Sequence, residues 1–254
     1  MSQAEIIALS NQKGGSGKTT TAHALGAGLQ MRGFKVLFVD LDAQGNLSYA
    51  LNVDGKALSS LEVLTETSTA AEAIQETAAG DVIPASPALS GANGILTETG
   101  KEYKLREALE PIRESYDYII IDTSPALSVL TVNAFTASDN LIIPTGADSF
   151  SLQGVLGLNQ TIATVRKYCN PGLKIDGILL TRYSSRAVLS KELANMANQI
   201  ASMLGTKVYT TTIRENISIK EAQTSRQDIF RYAPKSNGAT DYNAFINEFL
   251  KERI

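Results

Sequence analysis

The segment NQKGGSGKTTT, at residues 11–21, has the residue types and spacing of a loop that binds phosphate groups. Glycines let backbone N–H groups approach phosphate oxygens, and the N-terminus of a following helix adds positive potential. Lys18 can neutralise charge on the β- and γ-phosphates, and the Thr19 hydroxyl can bind Mg²⁺. The segment therefore predicts a site for a nucleoside triphosphate and its metal ion.

The same segment departs from the usual G-x-x-x-x-G-K-[ST] pattern at its first position. Gln12 stands where that pattern has a glycine, and Lys13 precedes the pair Gly14 and Gly15. The loop is therefore either a damaged nucleotide site or a site in which Lys13 has a role of its own.

Three aspartates follow apolar runs elsewhere in the chain. FVDLDAQGN contains Asp40 and Asp42, whose i, i+2 spacing points them the same way on a strand, and YIIIDTSPA ends its apolar run in Asp122. In an open parallel sheet, ligands bind at the carboxyl ends of strands. One acid of the pair can lie near the metal ion, and the other can orient the attacking water. Asp122, at the end of an apolar run, is typical of an acid that holds Mg²⁺ through a water molecule.

These residues need a scaffold that brings the loop and the acids together. Short apolar runs alternate with segments of helical periodicity, which is typical of parallel strands joined by helical crossovers. The predicted strands are EIIALS (5–10), KVLFVD (35–40), DVIPAS (81–86), YIIIDT (118–123), NLIIPT (140–145), KIDGILLT (174–181) and KVYTTTI (207–213). The predicted helices are 19–32, 101–114, 126–137, 151–169, 187–204 and 241–252. We expect an α/β fold with a mostly parallel, twisted sheet of about seven to eight strands and helices on both faces.

Composition indicates one globular domain in a reducing compartment. The chain has 43% hydrophobic and 19% charged residues, and a single cysteine, Cys169. One cysteine excludes an internal disulfide and a metal site built from several thiolates. No stretch approaches the roughly 20 apolar residues of a membrane span, and the first residues read as a strand rather than a signal peptide. We therefore expect a soluble cytoplasmic protein.

Charge is unevenly distributed along the chain. Residues 182–235 contain nine Lys or Arg and four acidic residues, a balance of +5 that leaves −8 for the remainder of a chain whose net charge is −3. This asymmetry predicts a polyanionic partner near the C-terminal third.

Four segments together resemble the ParA/Soj/MinD ATPases, the branch of the P-loop superfamily with a deviant Walker A motif. KGGSGKTT matches the family's K-G-G-x-G-K-[ST]-[ST], FVDLDAQGN its V-D-x-D-P-Q-G-N and YIIIDTSPA its Walker B segment, while NLIIPTGADSFSLQG is similar to the strand-to-helix turn that follows. The resemblance covers most of the chain. It implies a single ParA-like, AAA-type P-loop ATPase domain over residues 1–254, of the small type without a helix-turn-helix segment before the loop.

The resemblance also implies how ATP and Mg²⁺ are bound and used. Lys13 would reach across a homodimer to the partner's ATP, Lys18 would contact the chain's own phosphates, and Asp42 would orient the hydrolytic water. A cation supplied by the partner couples dimer formation to hydrolysis, so intrinsic activity should be weak. The metal candidates are Thr19 as a direct ligand, with Asp40 and Asp122 in the surroundings of the ion. The nucleotide-binding candidates are Lys13, Gly14, Gly15, Ser16, Gly17, Lys18, Thr19 and Thr20.

Small ParA proteins bind DNA without sequence preference as ATP dimers and respond to ParB-like centromere-binding partners. The resemblance therefore implies double-stranded DNA, a ParB-like protein and a second copy of the chain as partners, and association with the nucleoid in the ATP state. A phosphate-dominated contact fits the +5 region. The candidate DNA-binding residues are Arg182, Arg186, Lys191, Arg214, Lys220 and Arg226.

Three places depart from the family pattern: Ala43 replaces the proline of D-x-D-P-Q-G-N, DTSPA stands where D-C-P-P or D-T-P-P is frequent, and the most consequential departure is a segment further on. TIRENISIKEAQ, at residues 212–223, stands where many relatives carry I-P-R-N-V-R-L-S-E-A-P. The two arginines of that pattern fall at Glu215 and Ser218, with Arg214 and Lys220 close by. The positive charge that relatives place here is therefore rearranged in this chain.

Three other functions compete with DNA partition. A MinD-like membrane switch would need a basic amphipathic C-terminal helix, whereas the tail DYNAFINEFLKERI has three acids and only Lys251 and Arg253 as bases. An electron-transfer ATPase would need paired cluster cysteines, which one Cys169 cannot supply. A scaffold that binds ATP without turnover would not need Asp42. We expect the partition function.

Overall fold

The central feature of the structure, a computed structural model, is a parallel β-sheet. The structure describes residues 3–53, 58–146, 149–184 and 188–253, and within these ranges it has six strands. The strands are β1 (Glu5–Leu9), β2 (Val36–Leu41), β3 (Asp81–Ile83), β4 (Tyr118–Thr123), β5 (Asn140–Gly146) and β6 (Lys174–Thr181). Their order in the sheet is β3-β2-β4-β1-β5-β6, and every neighbouring pair is parallel.

Both faces of the sheet are buried, because each strand carries apolar side chains on both alternating faces. In β1, Ile6 and Ala8 belong to one core cluster, whereas Ile7 and Leu9 belong to the cluster on the opposite face. All six residues of β2 and all six of β4 are buried. The continuous apolar runs of the sequence are therefore strands covered by helices on both sides, as predicted.

Helices cover the two faces in two groups. The α-helices of the described residues are α1 (Lys18–Gln30), α2 (Asn46–Ala50), α3 (Ser60–Leu64), α4 (Ala70–Ala73), α5 (Ala92–Ile95), α6 (Lys104–Leu109), α7 (Val129–Ala137), α8 (Ser149–Tyr168), α9 (Val188–Met203), α10 (Ile217–Thr224), α11 (Ile229–Tyr232) and α12 (Asn237–Lys251). Residues of α1, α10, α11 and α12 share one core cluster, and residues of α6, α7, α8 and α9 share the other. None of the helices in the described ranges has the length and apolar character needed to cross a membrane.

The predicted seventh strand at 207–213 is wrong, and the sheet has six strands rather than seven to eight. The segment runs beside β6 and bonds to it only near its two ends, through a bridge between Ile178 and Val208 and through backbone hydrogen bonds of Ile213 with Leu180 and Tyr183. The backbone N–H groups of Thr210 and Thr211 donate instead to the carboxylate of Glu248 in α12, at 2.7 and 2.8 Å. A side chain thus takes the place of a strand ladder, which interrupts regular pairing.

The predicted helix 101–114 is shorter than expected. Only Lys104–Leu109 is α-helical, and 3₁₀ turns at Lys101–Tyr103 and Glu110–Ser115 flank it. Pro111 contributes to the break on the C-terminal side, because it has no backbone N–H to continue the α-helical hydrogen-bond pattern.

The register of the central strands brings the predicted acids to one edge of the sheet. Asp40 of β2 lies directly opposite Asp122 of β4, and Asp122 lies opposite Leu9 at the end of β1. The glycine-rich loop begins just after Leu9. The carboxyl edge of the sheet therefore holds the loop and the acids together, as the parallel topology predicts.

Candidate functional site

The loop between β1 and α1 has the backbone shape of a phosphate-binding loop. Gly15 and Gly17 have φ angles of 73° and 89°, in the left-handed region where a side chain is strained. Gly17 is also the N-cap of α1, so the N-terminus of that helix points at the loop. A Cβ at Gly14 would meet no protein atom within 4 Å, which leaves open space beside the loop for a ligand.

Lys18 is a buried cation at the start of α1. Its side chain is only 6% exposed, and its Nζ donates to the carbonyl of Lys13 at 3.3 Å. Burial lowers the pKa of Lys18, while the charges of Asp122 and Asp42 act in the opposite direction. A triphosphate would add negative charge here and offset the cost of burying the ammonium group.

Thr19 and Asp122 form the side of the site suited to a metal ion. The Thr19 hydroxyl donates to Asp122 Oδ2 at 2.6 Å. Asp122 Oδ1 is buried and has no hydrogen-bond partner in the part of the chain that the structure describes. Burial and then the charge of Asp40 raise the pKa of Asp122 well above its usual range, against the effect of the Thr19 hydrogen bond and of Lys18. A carboxylate oxygen in this position can accept a hydrogen bond from a metal-bound water.

Asp40 is completely buried, and its carboxylate is fully engaged with the chain. Its Oδ2 accepts from the backbone N–H and the hydroxyl of Ser48 at 2.9 and 2.7 Å, and its Oδ1 accepts from the backbone N–H of Asp42 at 3.0 Å. Burial raises the pKa of Asp40 to about 6, even though these hydrogen bonds lower it. Asp40 therefore shapes the turn that carries Asp42 and contributes charge near the ion.

Asp42 lies at the wall of the cleft beside the loop. It is 9% exposed, and its Oδ1 accepts from the backbone N–H of Gln44 at 3.0 Å. This bond fixes one carboxylate oxygen and leaves the other for a water molecule in the cleft. The arrangement suits a residue that orients a nucleophilic water.

The cleft itself is large enough for a nucleotide. It has a volume of about 610 Å³ and is lined by Gly14, Gly15, Gly17, Lys18, Thr19, Thr20, Asp42, Gln44, Asn46, Tyr49, Ala50, Pro125, Lys220, Gln223 and Thr224. A second cleft of about 260 Å³ shares Gly15, Gly17, Thr20, Lys220 and Gln223 with it and extends to Ile213, Asn216 and Tyr242. The first cleft offers charged and hydroxyl groups for phosphates, and the second combines apolar and amide groups with the charged residues Arg182, Arg214 and Glu215.

The residues fit a triphosphate with Mg²⁺. The described residues contain no cluster of three or more His, Cys, Asp or Glu side chains that could hold a metal. Mg²⁺ in nucleotide sites is bound by few protein groups together with phosphate oxygens and water, so one hydroxyl beside a buried carboxylate suffices. Thr19 would hold the ion directly and Asp122 through water.

Sequence reasoning missed several residues that support the loop from distant parts of the chain. The Thr181 hydroxyl donates to the carbonyl of Ser16 at 2.9 Å, and the Gln223 side chain donates to the Thr20 hydroxyl at 2.9 Å. Asn11 accepts from the backbone N–H of Lys13 at 3.0 Å. Asn11 is adjacent to the motif, and this position was the only available signal in the sequence. Thr181 and Gln223 carry no local pattern that could have identified them.

The predicted DNA-binding residues lie in different surroundings. Glu215 lies between Arg182 and Lys220, with N···O distances of 3.6 and 3.8 Å, and the side chains of these two cations are 58% and 67% exposed. The Arg214 guanidinium is held by Asp241 of α12, at 2.6 Å from Nη2. Two further contacts involve Arg226, which donates to Asn52 and lies over the ring of Tyr49. Arg186 and the side chain of Lys191 lie outside the described residues.

Comparisons with known sequences agree with this geometry. Residues 4–175 match a protein family described as an AAA domain. The chain is 39% identical over 243 residues to the sporulation initiation inhibitor protein Soj of Bacillus subtilis, covering 94% of this chain and 95% of Soj. It is 38% identical over 252 residues to the chromosome partitioning protein ParA of Caulobacter vibrioides, covering 96% of this chain and 93% of that protein.

Solved structures show the same fold, and two of them contain a bound nucleotide. A structure of cobyrinic acid a,c-diamide synthase from Mycobacterium smegmatis with ADP and magnesium has a TM-score of 0.84 and 34% identity, and covers 98% of this chain and 94% of that chain. An ATP complex of a McdA variant from Cyanothece has a TM-score of 0.86 and 25% identity over 99% and 98% of the two chains. The cell division ATPase MinD of Pyrococcus furiosus has a TM-score of 0.80 and 25% identity over 98% and 99%.

Proposed function

Because this chain belongs to the ParA/MinD family of P-loop ATPases and uses ATP and Mg²⁺, we propose that it is a partition ATPase whose ATP-bound dimer binds DNA. In this proposal the dimer binds double-stranded DNA without sequence preference and leaves it after hydrolysis. A ParB-like, centromere-binding protein stimulates turnover, and the protein is cytoplasmic and associates with the nucleoid in its ATP state. The observation that carries the proposal is an exposed Lys13 next to Gly14 and Gly15, which line a cleft that also contains Lys18 and Asp42.

The chain's own residues bind and orient the reacting groups. The N–H groups of the loop and Lys18 hold the β- and γ-phosphates, and Asp42 orients a water for attack on the γ-phosphate. Thr19, with Asp122 behind it, holds the Mg²⁺ that neutralises charge on the phosphate oxygens. Phosphoryl transfer depends on positioning and charge compensation more than on covalent chemistry, so these contacts supply most of what the reaction needs.

Lys13 supplies the part that a single chain lacks. Lys18 is buried beneath the loop, whereas Lys13 is exposed at its rim. A lysine there can reach phosphates bound to a second copy whose cleft faces this one. Because a partner completes the charge, turnover depends on dimerisation, and a monomer that has bound ATP should hydrolyse it slowly.

The basic surface of the C-terminal third supports nonspecific DNA binding. Arg182, Lys220 and Arg226 are exposed, and phosphate contacts of this kind carry no sequence information. Two copies in a dimer would double the number of such contacts. Because each phosphate contact releases counterions, the affinity for DNA should fall steeply with salt.

The test is an electrophoretic shift on random duplex DNA with ATP, ADP or no nucleotide, at two salt concentrations. We expect a shift with ATP only, and a weaker one at the higher salt. Lys18→Ala should lose nucleotide binding, Lys13→Ala should bind ATP without dimerising productively, and Asp42→Ala should form an ATP dimer that stays on DNA. An Asp42→Ala protein that remains monomeric in saturating ATP would overturn the proposal.

The alternative is a MinD-like positioning ATPase that acts at the membrane. Its amphipathic C-terminal helix would need an apolar face available to lipid. In α12, Phe245, Ile246 and Phe249 are fully buried, and Arg253 is held by Glu5 and Asp176. These contacts favour DNA as the partner. Sedimentation with vesicles of anionic lipid in the presence of ATP, without binding to duplex DNA, would favour the membrane function instead.

A further inference from the structure

One buried side chain fixes the start of the glycine-rich loop to the end of β5. Asn11 is completely buried, and its Nδ2 donates to the carbonyl of Pro144 at 2.9 Å and to the hydroxyl of Thr145 at 3.2 Å. On its other side, Asn11 Oδ1 accepts from the backbone N–H of Lys13 at 3.0 Å. The amide therefore determines where the backbone of Lys13 lies relative to the sheet.

Helix α8 closes over this amide at a glycine. A Cβ at Gly154 would lie 2.4 Å from Asn11 Oδ1 and 3.2 Å from the backbone N of Lys13. The Asn11 side chain cannot turn aside, because both ends of its amide are bonded inside the core. Helix α8 can therefore approach the loop this closely only because residue 154 has no side chain.

A second glycine of α8, one turn further on, makes a different contact. A Cβ at Gly157 would lie 2.3 Å from Oε1 and 2.6 Å from Nε2 of Gln12. These atoms are the far end of a long, half-exposed side chain that can rotate away at little cost. The two glycines therefore lie on the same helix but face different neighbours: Asn11, beside Gly154, is fixed in place, whereas Gln12, beside Gly157, can move.

We propose that Asn11 and Gly154 are positioning residues that set the backbone of Lys13 and, through it, the reach of Lys13 to the triphosphate of a second copy. This inference rests on the proposed function, in which Lys13 acts across a dimer. The chain's own phosphates are held by α1 and the later part of the loop, through Lys18 and Thr19. The Lys13 carbonyl also accepts from Lys18 Nζ at 3.3 Å, so the contact with α8 acts directly on Lys13 and reaches nucleotide binding by the monomer only through that bond.

The experiment compares Gly154→Ala with Gly157→Ala as a matched pair. Both replacements raise the helix propensity to the same extent, so a difference between the two variants arises from the contact that each new Cβ makes. We expect both to bind ATP with an affinity within about twofold of wild type, and Gly154→Ala alone to lose roughly tenfold or more in ATP-dependent dimerisation and kcat, because a displacement near 1 Å at a reacting group has large effects. Equal dimerisation and kcat in the two variants would overturn the inference.

The backbone N–H signal of Lys13 in a ¹⁵N-correlated NMR spectrum provides a readout that does not depend on turnover. It should shift in Gly154→Ala and keep its position in Gly157→Ala. If Lys13→Ala dimerises and hydrolyses ATP like wild type, the proposed function fails, and the signal alone then decides whether Gly154 positions Lys13. An unmoved signal in Gly154→Ala would contradict the inference.

A double substitution separates positioning from general damage. In a Lys13→Ala background, Gly154→Ala should cause no further loss of dimerisation, because the residue through which it acts is already absent. A further loss as large as that in wild type would show that Gly154 acts elsewhere in the fold, and would overturn the inference.

Discussion

His23 shows how one buried residue behind the nucleotide loop determines a pH response. Its ring lies in α1 with an edge-to-face contact to Phe38, and the residue is 5% exposed. Burial lowers the pKa of His23 from 6.5 to about 4, against a smaller opposite effect of the Asp228 charge. Between these two pH values the unfolded chain binds a proton that the folded chain does not. The contribution of His23 to stability is therefore complete above pH 6.5 and is lost as the pH falls towards 4.

His23→Gln should flatten the decrease in stability between pH 7 and pH 4. The expected difference is up to about 3 kcal/mol, from 1.36 kcal/mol for each unit of pKa shift. The raised pKa values of Asp40 and Asp122 act in the opposite direction, because the folded state gains protons there as the pH falls. Both proteins contain Asp40 and Asp122, so the effect of these two carboxyl groups cancels in the difference between variant and wild type. The measurement is denaturant unfolding of the nucleotide-free proteins at several pH values. If the free energy of unfolding falls equally with pH in the variant and in wild type, His23 is not the source of this pH dependence.

At the scale of the elements, α12 completes the edge of the sheet that the sequence assigns to a strand. Glu248 accepts the backbone N–H groups of Thr210 and Thr211, and Asp241 holds the backbone and the guanidinium of Arg214. One helix thus organises a segment that runs from β6 to the nucleotide cleft.

Glu248→Ala should destabilise the protein by about 1–3 kcal/mol, because two backbone donors lose a charged acceptor. Glu252→Ala is the control, since it removes a carboxylate of the same helix region whose ion pair with Lys207 is exposed and should contribute about 1 kcal/mol or less. Urea unfolding at pH 7 measures both. Equal losses of unfolding free energy in the two variants would show that the contact of Glu248 with residues 210–211 stabilises the protein no more than an exposed ion pair.

The sequence predicts a strand correctly where the apolar pattern of the segment itself determines its structure. It does not where a side chain from a distant part of the chain determines the backbone conformation. The continuous apolar runs of β1, β2 and β4 require burial on both faces, so their parallel pairing and the meeting of Asp40 with Asp122 follow from the sequence. The segment 207–213 has equally strong strand character, yet its partner is Glu248, and nothing near that segment signals it. The supports of the loop are hidden for the same reason, because Thr181 and Gln223 reach Ser16 and Thr20 from far along the chain.

At the scale of the whole molecule, the protein carries a net charge of −3, whereas residues 182–235 have a balance of +5. Within that region Glu215 lies between Arg182 and Lys220. The chain thus places an acid between two cations that would otherwise face a polyanion. Affinity for DNA should therefore be moderated by this residue.

Glu215→Gln should strengthen nonspecific DNA binding by the ATP form by about three- to tenfold at low salt and steepen its salt dependence, because two more cations become available to phosphates. Glu221→Gln, which removes the same charge from the nearby helix α10, should have a smaller effect. Fluorescence anisotropy with a random duplex at several salt concentrations gives both slopes. Unchanged or weaker binding in Glu215→Gln would show that Arg182 and Lys220 do not face DNA.

The cover that α12 and residues 207–213 provide for β6 also bears on how the protein survives synthesis in the cell. Strand β6 is at the end of the sheet order, and an uncovered edge strand is a template for pairing with other chains. Its cover comes from residues that leave the ribosome after β6 itself. A nascent chain that has formed the sheet but not yet α12 therefore exposes an aggregation-prone edge, and the late helix ends that period of vulnerability.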